Sequence, residues 1–538
     1  MIMQIVDFYP TQGCFRPGET VNLLVEIQSE LNIDVGLIVT IRHLAEKPQT
    51  FMVPASLKAN MQTIQIQWDA PTQPAGYGAT VELCDASNRT LDRATTSFDI
   101  LNAWTDFPRY GYLTDFSTQR PNPDSTINEL VRFHVNGLQF YDWQYRHDEL
   151  LAPTENYIDP LGRALSLQTV KKLVETAHQY GVAAMPYMAV YAASALFWRA
   201  HLESALYDRD GHPIPFGEDF LGLMNPASGS EWRNHLLAEC SRVLGSIAFD
   251  GLHIDQYGEP KQVWDAHGQS IDLPDAFVGF IEGARTDYPQ KTILFNAVGN
   301  WPIEALATSS LDFIYIEIWP PDVRYRDVAH IVLDAVRLSQ GKPVVIALYL
   351  PADRPNNVML ANAVIAACGG TRIELGEQTR LLVDPYFPKH QEIPTELKTT
   401  LRCHYDFLIC CGEWMQSYPL TAEERGAWAF GELFPSFVQT DGRVWAVARR
   451  RGNDLVLNLV NWNRLDTNLT WDAPHLAPVP CVNLQMRVRL PRKPAKVFYA
   501  CPEQSKSGPI ELEFEFRNGK ASFLLPTLYL SGIVIIHE

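Results

Sequence analysis

The stretch AFDGLHIDQYGEP, residues 248–260, decides how the rest of the chain is read. Leu252 and Ile254 alternate with His253 and Asp255, which is the period of an extended strand with two different faces. A helix-patterned run, SEWRNHLLAECSRVLGS (230–246), precedes it, and another, AFVGFIEGARTDY (276–288), follows. A short strand between helices is the repeating unit of a parallel α/β fold, in which chemistry gathers where the strands end. Asp255 stands at such an end.

Outward from this unit the same rhythm holds from about residue 105 to 410. The expected strands are GLQFYDW (137–143), VAAMPYMAVY (182–191), FLGLMN (220–225) and FDGLHIDQ (249–256), then TILFNAVG (292–299), FIYIEIW (313–319), PVVIALYL (343–350) and TRIEL (371–375). Helix-patterned segments separate them, and residues 393–416 supply a last helix. Eight strands over this span predict a (β/α)8 TIM barrel, and no GxGxxG or Walker-type loop favours a nucleotide-binding sheet. Before it, runs such as TVNLLVEIQ and MQTIQIQW alternate with period two between turn residues. After about 425, RVWAVARRR, DLVLNLVNW and FRNGKASF do the same, the last with an Asn-Gly hairpin turn. The expected organisation is an N-terminal immunoglobulin-like β-sandwich (1–103), a catalytic barrel (104–424) and a C-terminal antiparallel Greek-key β-sandwich (425–538).

Bulk composition narrows the function. Sixty-two acidic against 44 basic residues leave a net charge of −18, which excludes a nucleic-acid partner or an anionic membrane surface and suits a neutral or cationic substrate. The supply of 13 Trp, 21 Tyr and 25 Phe suits sugar-ring stacking as well as packing. No apolar run reaches the ~20 residues of a membrane span. MIMQIVDFYPTQGCFRPGET lacks the basic start and apolar core of a secretory signal, so a cytoplasmic location is expected as written, or an extracellular one if a signal has been removed. Nine cysteines without a CxxC pair do not form a disulfide framework. No cofactor or metal is expected.

The acids are placed by strand parity. Leu252 and Ile254 face the helices, so His253 and Asp255 face the interior, with Asp255 at the rim. Asp250 lies about 16 Å away along an extended strand and starts it at the barrel floor, in a structural role. In FIYIEIW, Ile314, Ile316 and Ile318 form the outer face, while Tyr315, Glu317 and Trp319 point inward. A lone inward glutamate is costly unless it is paired or functional. Strands four and six are next-but-one neighbours, so Asp255 and Glu317 can meet across a pocket, as glycoside hydrolysis requires. The more apolar setting of Glu317 makes it the acid/base and Asp255 the nucleophile. Glu374 also alternates inward, but Arg372 on the same face predicts a structural ion pair.

Further groups gather at the rim. The first expected strand brings Gln139, Tyr141, Asp142 and Trp143, followed by Arg146 and His147. The others bring Tyr187, Tyr191, Asn225, His253, Gln256, Asn296 with Trp301 beyond it, and Trp319. Amides, carboxylates and flat rings are what a hydroxyl-rich ligand needs. His253 lies deeper and either meets a sugar hydroxyl or steadies Asp255.

At FYDW (140–143), FDGLHIDQYG (249–258), FNAVGNWP (295–302) and YIEIWP (315–320) the chain resembles glycoside hydrolase family 66, the family of dextranases and cycloisomaltooligosaccharide glucanotransferases. The resemblance covers nearly the whole chain. It implies the same three-part fold, a nucleophile at Asp255, an acid/base at Glu317, retention of anomeric configuration and α-1,6-glucan as substrate. Cyclising members carry a carbohydrate-binding insert in the barrel region, and none is visible here. The resulting expectation is a retaining, endo-acting hydrolase of dextran or isomaltooligosaccharides. A transglycosylase with the same pair, forming cyclic or longer isomaltooligosaccharides, is the alternative, and a non-catalytic sugar-binding barrel a more distant one. A starch-acting amylase-type barrel fits less well, because His253 stands where those enzymes carry an arginine.

Overall fold

In the computed structural model the described residues are 3–44, 46–120, 122–218, 220–386, 389–416, 442–504 and 508–538. Eight parallel strands organise the middle of the chain: β1 (Tyr110–Leu113), β2 (Gly137–Phe140), β3 (Ala183–Ala189), β4 (Gly251–Asp255), β5 (Thr292–Val298), β6 (Ile314–Glu317), β7 (Val344–Ala347) and β8 (Gly370–Ile373). They pair in chain order within one curled sheet. Just beyond β8, Gly376 pairs with Tyr112 of β1, and the Thr371 hydroxyl donates to the carbonyl of Pro108, so the last strand returns to the first.

The helices α1 (Pro123–Val131), α2 (Leu167–Gln179), α3 (Glu231–Ser246), α4 (Leu273–Asp287), α5 (Ile303–Ala307), α6 (Tyr325–Leu338), α7 (Pro355–Ala367) and α8 (Thr395–Met415) intervene or follow. Local chemistry starts several of them. Ser166, Ser230 and Asp272 each accept a backbone N–H of the first turn with a side-chain oxygen, meeting donors that the helix cannot satisfy itself.

Cross-strand register fixes which side chains face inward. Tyr187, His253 and Leu294 stand side by side in one row, and Asn296, Tyr315, Val345 and Thr371 form the next. Asp255 follows His253 by two residues and Glu317 follows Tyr315 by two, so both acids continue the inward face at the strand ends. Gly251 opens β4 because a β-carbon there would sit 1.8 Å from the carbonyl oxygen of Thr292.

Two expectations about strands are corrected. FLGLMN is not in the parallel sheet: Leu221–Leu223 pairs with Ala192–Ser194 and Pro215–Phe216 in a small antiparallel sheet. The count of eight is completed by β1, so the first two expected strands are β2 and β3. The inward reading of Glu374 also fails. Arg372 is paired with Ile346, which is paired with Ile316 of the outer row, and the Arg372–Glu374 ion pair at 3.0 Å lies against α7 and α8. There Glu374 accepts from Asn362 and Tyr405. The structural pairing itself is present.

Before β1, sheets of three and four antiparallel strands enclose one core that includes Val21, Leu23, Leu37, Val81 and Phe98. After residue 442, sheets of five and three strands enclose another, with Leu457, Met486, Phe523 and Ile536. The expected hairpin is there, with Asn518 and Gly519 both at positive φ between Phe514–Arg517 and Lys520–Leu528. The expected 424/425 boundary lies outside the described residues. None of the nine cysteines forms a disulfide. Among the described residues no helix is long and apolar enough to cross a membrane.

Candidate active site

Asp255 and Glu317 come together through one side chain. The amide nitrogen of Asn296, on the strand between them, donates to Asp255 Oδ1 at 2.8 Å and to Glu317 Oε2 at 3.0 Å. The remaining carboxylate oxygens are also met. The Tyr187 hydroxyl donates to Asp255 Oδ2 at 2.9 Å, and the Tyr349 hydroxyl donates to Glu317 Oε1 at 2.7 Å. Every one of these donors is neutral, and among the described residues no Lys or Arg lines the surrounding cavity. Glu317 is therefore not the half of an ion pair that a purely structural role would require.

The electrostatics follow from that isolation. Burial, and then the charge of Glu317, push Asp255 up to about 7, against hydrogen bonds from Asn296, Tyr187 and the Gln256 backbone. Burial likewise raises Glu317 above the ordinary carboxylate range, opposed by Tyr349 and Asn296. Two carboxylates this close and this dry hold one proton between them near neutral pH. Each carboxylate accepts from Asn296 and from one tyrosine, so donor number does not set the two apart.

The cavity above them measures 450 Å³. Its floor includes Gln139 and His253. Burial brings His253 down to about 3, so the ring is neutral, sharing a hydrogen bond with the Tyr110 hydroxyl at 3.1 Å. Tyr141 stacks on Tyr187, and both line the cavity. Asp142 lines it too, in a left-handed backbone conformation (φ +46°) that a branched polar residue adopts at a cost. Burial pushes its carboxyl up to about 6, with Arg163 acting against the rise. Phe216 and Tyr257, stacked at 4.2 Å, form one upper wall, and Trp319 with Tyr386 another. Several buried polar atoms on this lining have no protein partner: Gln139 Oε1, Gln144 Oε1, His147 Nδ1 and Asn296 Oδ1. Unpaired groups of this kind are costly unless a ligand or water meets them.

Of the other expected rim residues, only Gln256 is brought to the cavity. Trp143 is fully buried, donating to the Tyr187 carbonyl and packing on Phe249. Tyr191 accepts the Tyr257 N–H and stacks on Phe277. Asn225 caps a turn before α3 by accepting the N–H of Ala227, because its strand belongs to the small sheet. Trp301 rests edge-on against Phe277, with its carbonyl accepting from Gln256. Gln256 lines the cavity and pins the loop after β4, also accepting the Gly258 N–H. Arg146 lies over the Tyr145 ring and donates to the Ile158 carbonyl. Asp250 accepts from the Ala184 N–H and from His178, at the opposite end of β4.

Sequence reasoning did not single out Tyr349, Gln144, Phe216, Tyr257 or Tyr386. Tyr349 carried a usable signal, since the parity of Val345 and Ala347 extends to it. Phe216 and Tyr386 carried none, because loops distant in sequence deliver them. Among the described residues no cluster of His, Cys, Asp and Glu has the arrangement of a metal site.

The family model of glycosyl hydrolase family 66 matches residues 12–535. A cycloisomaltooligosaccharide glucanotransferase of Niallia circulans is 28% identical over 64% of this chain, which covers 38% of that protein. A dextranase of Streptococcus salivarius is 22% identical over 89% of this chain and 66% of its own length. The chain thus spans less than two thirds of either curated relative. The crystal structure of a Paenibacillus sp. cycloisomaltooligosaccharide glucanotransferase complexed with cycloisomaltoheptaose superposes with a TM-score of 0.89 at 19% identity, covering 99% of this chain and 100% of that one.

Proposed function

The chain belongs to glycosyl hydrolase family 66, and from that premise we propose that it cleaves α-1,6-glucosidic bonds of dextran or isomaltooligosaccharides with retention of configuration. The observation that carries the reading is the single amide nitrogen shared by Asp255 and Glu317. The two oxygens it joins can be no farther apart than about 6 Å, against roughly 5–5.5 Å between carboxyls in retaining enzymes and 6.5–9.5 Å in inverting ones. The reading takes the curled sheet and its helices as a (β/α)8 barrel at 104–424, between β-sandwiches at 1–103 and 425–538. The pair then sits at the C-terminal strand ends, where such barrels do their chemistry.

In the first half-reaction Asp255 attacks the anomeric carbon as the bond to the departing O6 breaks, and Glu317 gives that oxygen its proton. Asp255 becomes a neutral ester, which removes the charge that held the Glu317 proton in place. Glu317, now ionised, takes a proton from the incoming water as it attacks the same carbon, and Asp255 is released. A sugar hydroxyl in place of that water gives transglycosylation. The relatives named glucanotransferases favour keeping this second reading, as do the aromatic walls at Phe216, Tyr257 and Tyr386, on which an acceptor ring can stack.

Dextran hydrolysis by variants tests the proposal. Asp255→Ala and Glu317→Gln should each lower kcat about a thousandfold or more. Azide should restore turnover to the Asp255 variant, and activated aryl glycosides should remain good substrates for Glu317→Gln, because their leaving groups need no proton. Near-wild-type dextran cleavage by either variant would refute the assignment. Chromatography of products from a long isomaltooligosaccharide separates linear hydrolysis products from cyclic transfer products.

A further inference from the structure

We propose that a groove sharing Phe216 with the catalytic cavity, and floored by Trp264, is a second binding site for α-glucan. It holds polymer to the enzyme and takes no part in bond cleavage. The inference rests on the α-1,6-glucan reading above.

Two segments form the groove, 207–216 and 259–264. The first lies in the connection between β3 and α3, the second in that between β4 and α4, so both stand on the side where the strands end. Their backbones lock together. The Tyr207 N–H donates to the Trp264 carbonyl at 2.8 Å, and the Trp264 N–H returns the bond at 2.9 Å. Trp264 pairs in turn with Ser270. Ile214 donates to the Leu206 carbonyl and accepts from the Leu223 N–H, which ties the first segment to the small antiparallel sheet. Asp208 Oδ1 accepts the N–H groups of Asp210 and His212 and fixes the turn between them. A surface built this way exists before a ligand arrives, so little ordering is needed on binding.

The groove measures 710 Å³. Half-buried Trp264 and Phe216 offer flat apolar faces, with Ile214 between their segments' strands. A pyranose ring lays its C–H face on such a ring and turns its hydroxyls outward. The groups waiting for those hydroxyls are Asp208, Arg209, Glu259 and Gln262. Among the described residues the Arg209 guanidinium, the Gln262 amide and the Trp264 ring N–H have no hydrogen-bond or ion-pair partner in the protein. The carboxylates of Asp208 and Glu259 beside Arg209 leave no excess positive charge to hold an anion, so a neutral, hydroxyl-rich ligand fits best.

Phe216 makes this ligand a part of the substrate polymer. It lines the catalytic cavity and the groove alike, so a chain engaged in one passes close to the other. Each α-1,6 linkage runs through C6 and carries one more rotatable bond than a linkage between ring carbons, which lets the chain bend over that edge. Holding the polymer at two places raises its effective concentration at the cavity, a gain that a disaccharide substrate cannot share.

The test compares long dextran with 4-nitrophenyl α-isomaltoside, using the wild-type enzyme, Trp264→Ala and Gln262→Ala. Trp264→Ala should raise KM for dextran about fivefold or more, with kcat within about twofold of wild type and the isomaltoside's kcat/KM unchanged. Gln262→Ala, at an exposed position without a protein partner, should raise the dextran KM about twofold to threefold and keeps the test open if Trp264→Ala does not fold. A dextran KM unchanged in the variants that fold overturns the proposal and leaves the α-1,6 reading standing. So does an equal loss on both substrates, which would mark damage to the catalytic cavity itself. Failure of the wild-type enzyme to cleave either substrate overturns the α-1,6 reading and the proposal with it.

Discussion

Asn296 gives both amide hydrogens to the two acids and leaves its own oxygen buried without a protein partner. It sets their spacing and favours the ionised form of each. Tyr349 does the second of these for Glu317 alone. The sign of each effect on pH dependence follows. Removing a donor to a carboxylate raises that carboxyl's pKa, and on the proposed mechanism the alkaline limb of kcat/KM reports loss of the proton from Glu317. Tyr349→Phe should therefore move the alkaline limb to higher pH and leave the acid limb in place. Asn296→Ala should move both limbs upward. Stopped assays across pH 4–9 check both, and an alkaline limb that stays fixed in Tyr349→Phe would separate Glu317 from the acid role. Asp255 and Glu317 were legible in the sequence because a period of two carries an unusual residue type to one face. Asn296 was legible as a rim amide, but its bridging position was not, since that depends on side-chain rotation.

At the scale of strands and helices, parity worked where the strand was anchored at both ends and failed where it was not. β4 and β6 each set a clear apolar row against an inward polar one. TRIEL offered only Arg372 and Glu374 to orient it, and the register of β8 against β7 turned both toward the helices. β1 escaped notice because YGYL is four residues long and has no apolar–polar alternation. FLGLMN passed for a parallel strand because a short apolar run fits a hairpin strand equally well. The two aspartates of the opening motif make the sharpest contrast within one element. Asp250 anchors the start of β4 by accepting from Ala184 and His178. Asp250→Ala should cost about 1–2 kcal/mol of stability, seen as a lower denaturation midpoint, with kcat close to wild type. A collapse of kcat in protein that still unfolds cooperatively would mean that Asp250 reaches the chemistry.

At the scale of the molecule, the flanking sheets brace the wall that carries the site. Arg132 of the segment after α1 donates to Asp7 and Glu26 and lies 3.8 Å from the Tyr9 ring centre, tying the first strands to the parallel sheet's outer layer. On the other side α7 is buried nearly all round, because the strand Asp454–Asn461 covers the face that helices of such folds normally show to water. Arg449 reaches across to the Ala367 carbonyl at the end of that helix. The change from antiparallel to parallel strands and back was readable from changes in hydrophobic period, whereas these contacts join segments hundreds of residues apart and leave no local trace. All of this packing holds Asp255 and Glu317 on alternate strands over one cavity, and the proposal is that they act there on one acetal. The most direct test is to incubate Glu317→Gln with an α-isomaltosyl fluoride, whose leaving group needs no acid, and to map the trapped sugar by peptide mass spectrometry. A covalent isomaltosyl group on the peptide carrying Asp255, absent in the Asp255→Ala double variant, is the result expected. Turnover of the fluoride without any adduct at Asp255, or an adduct on another carboxylate, would contradict it.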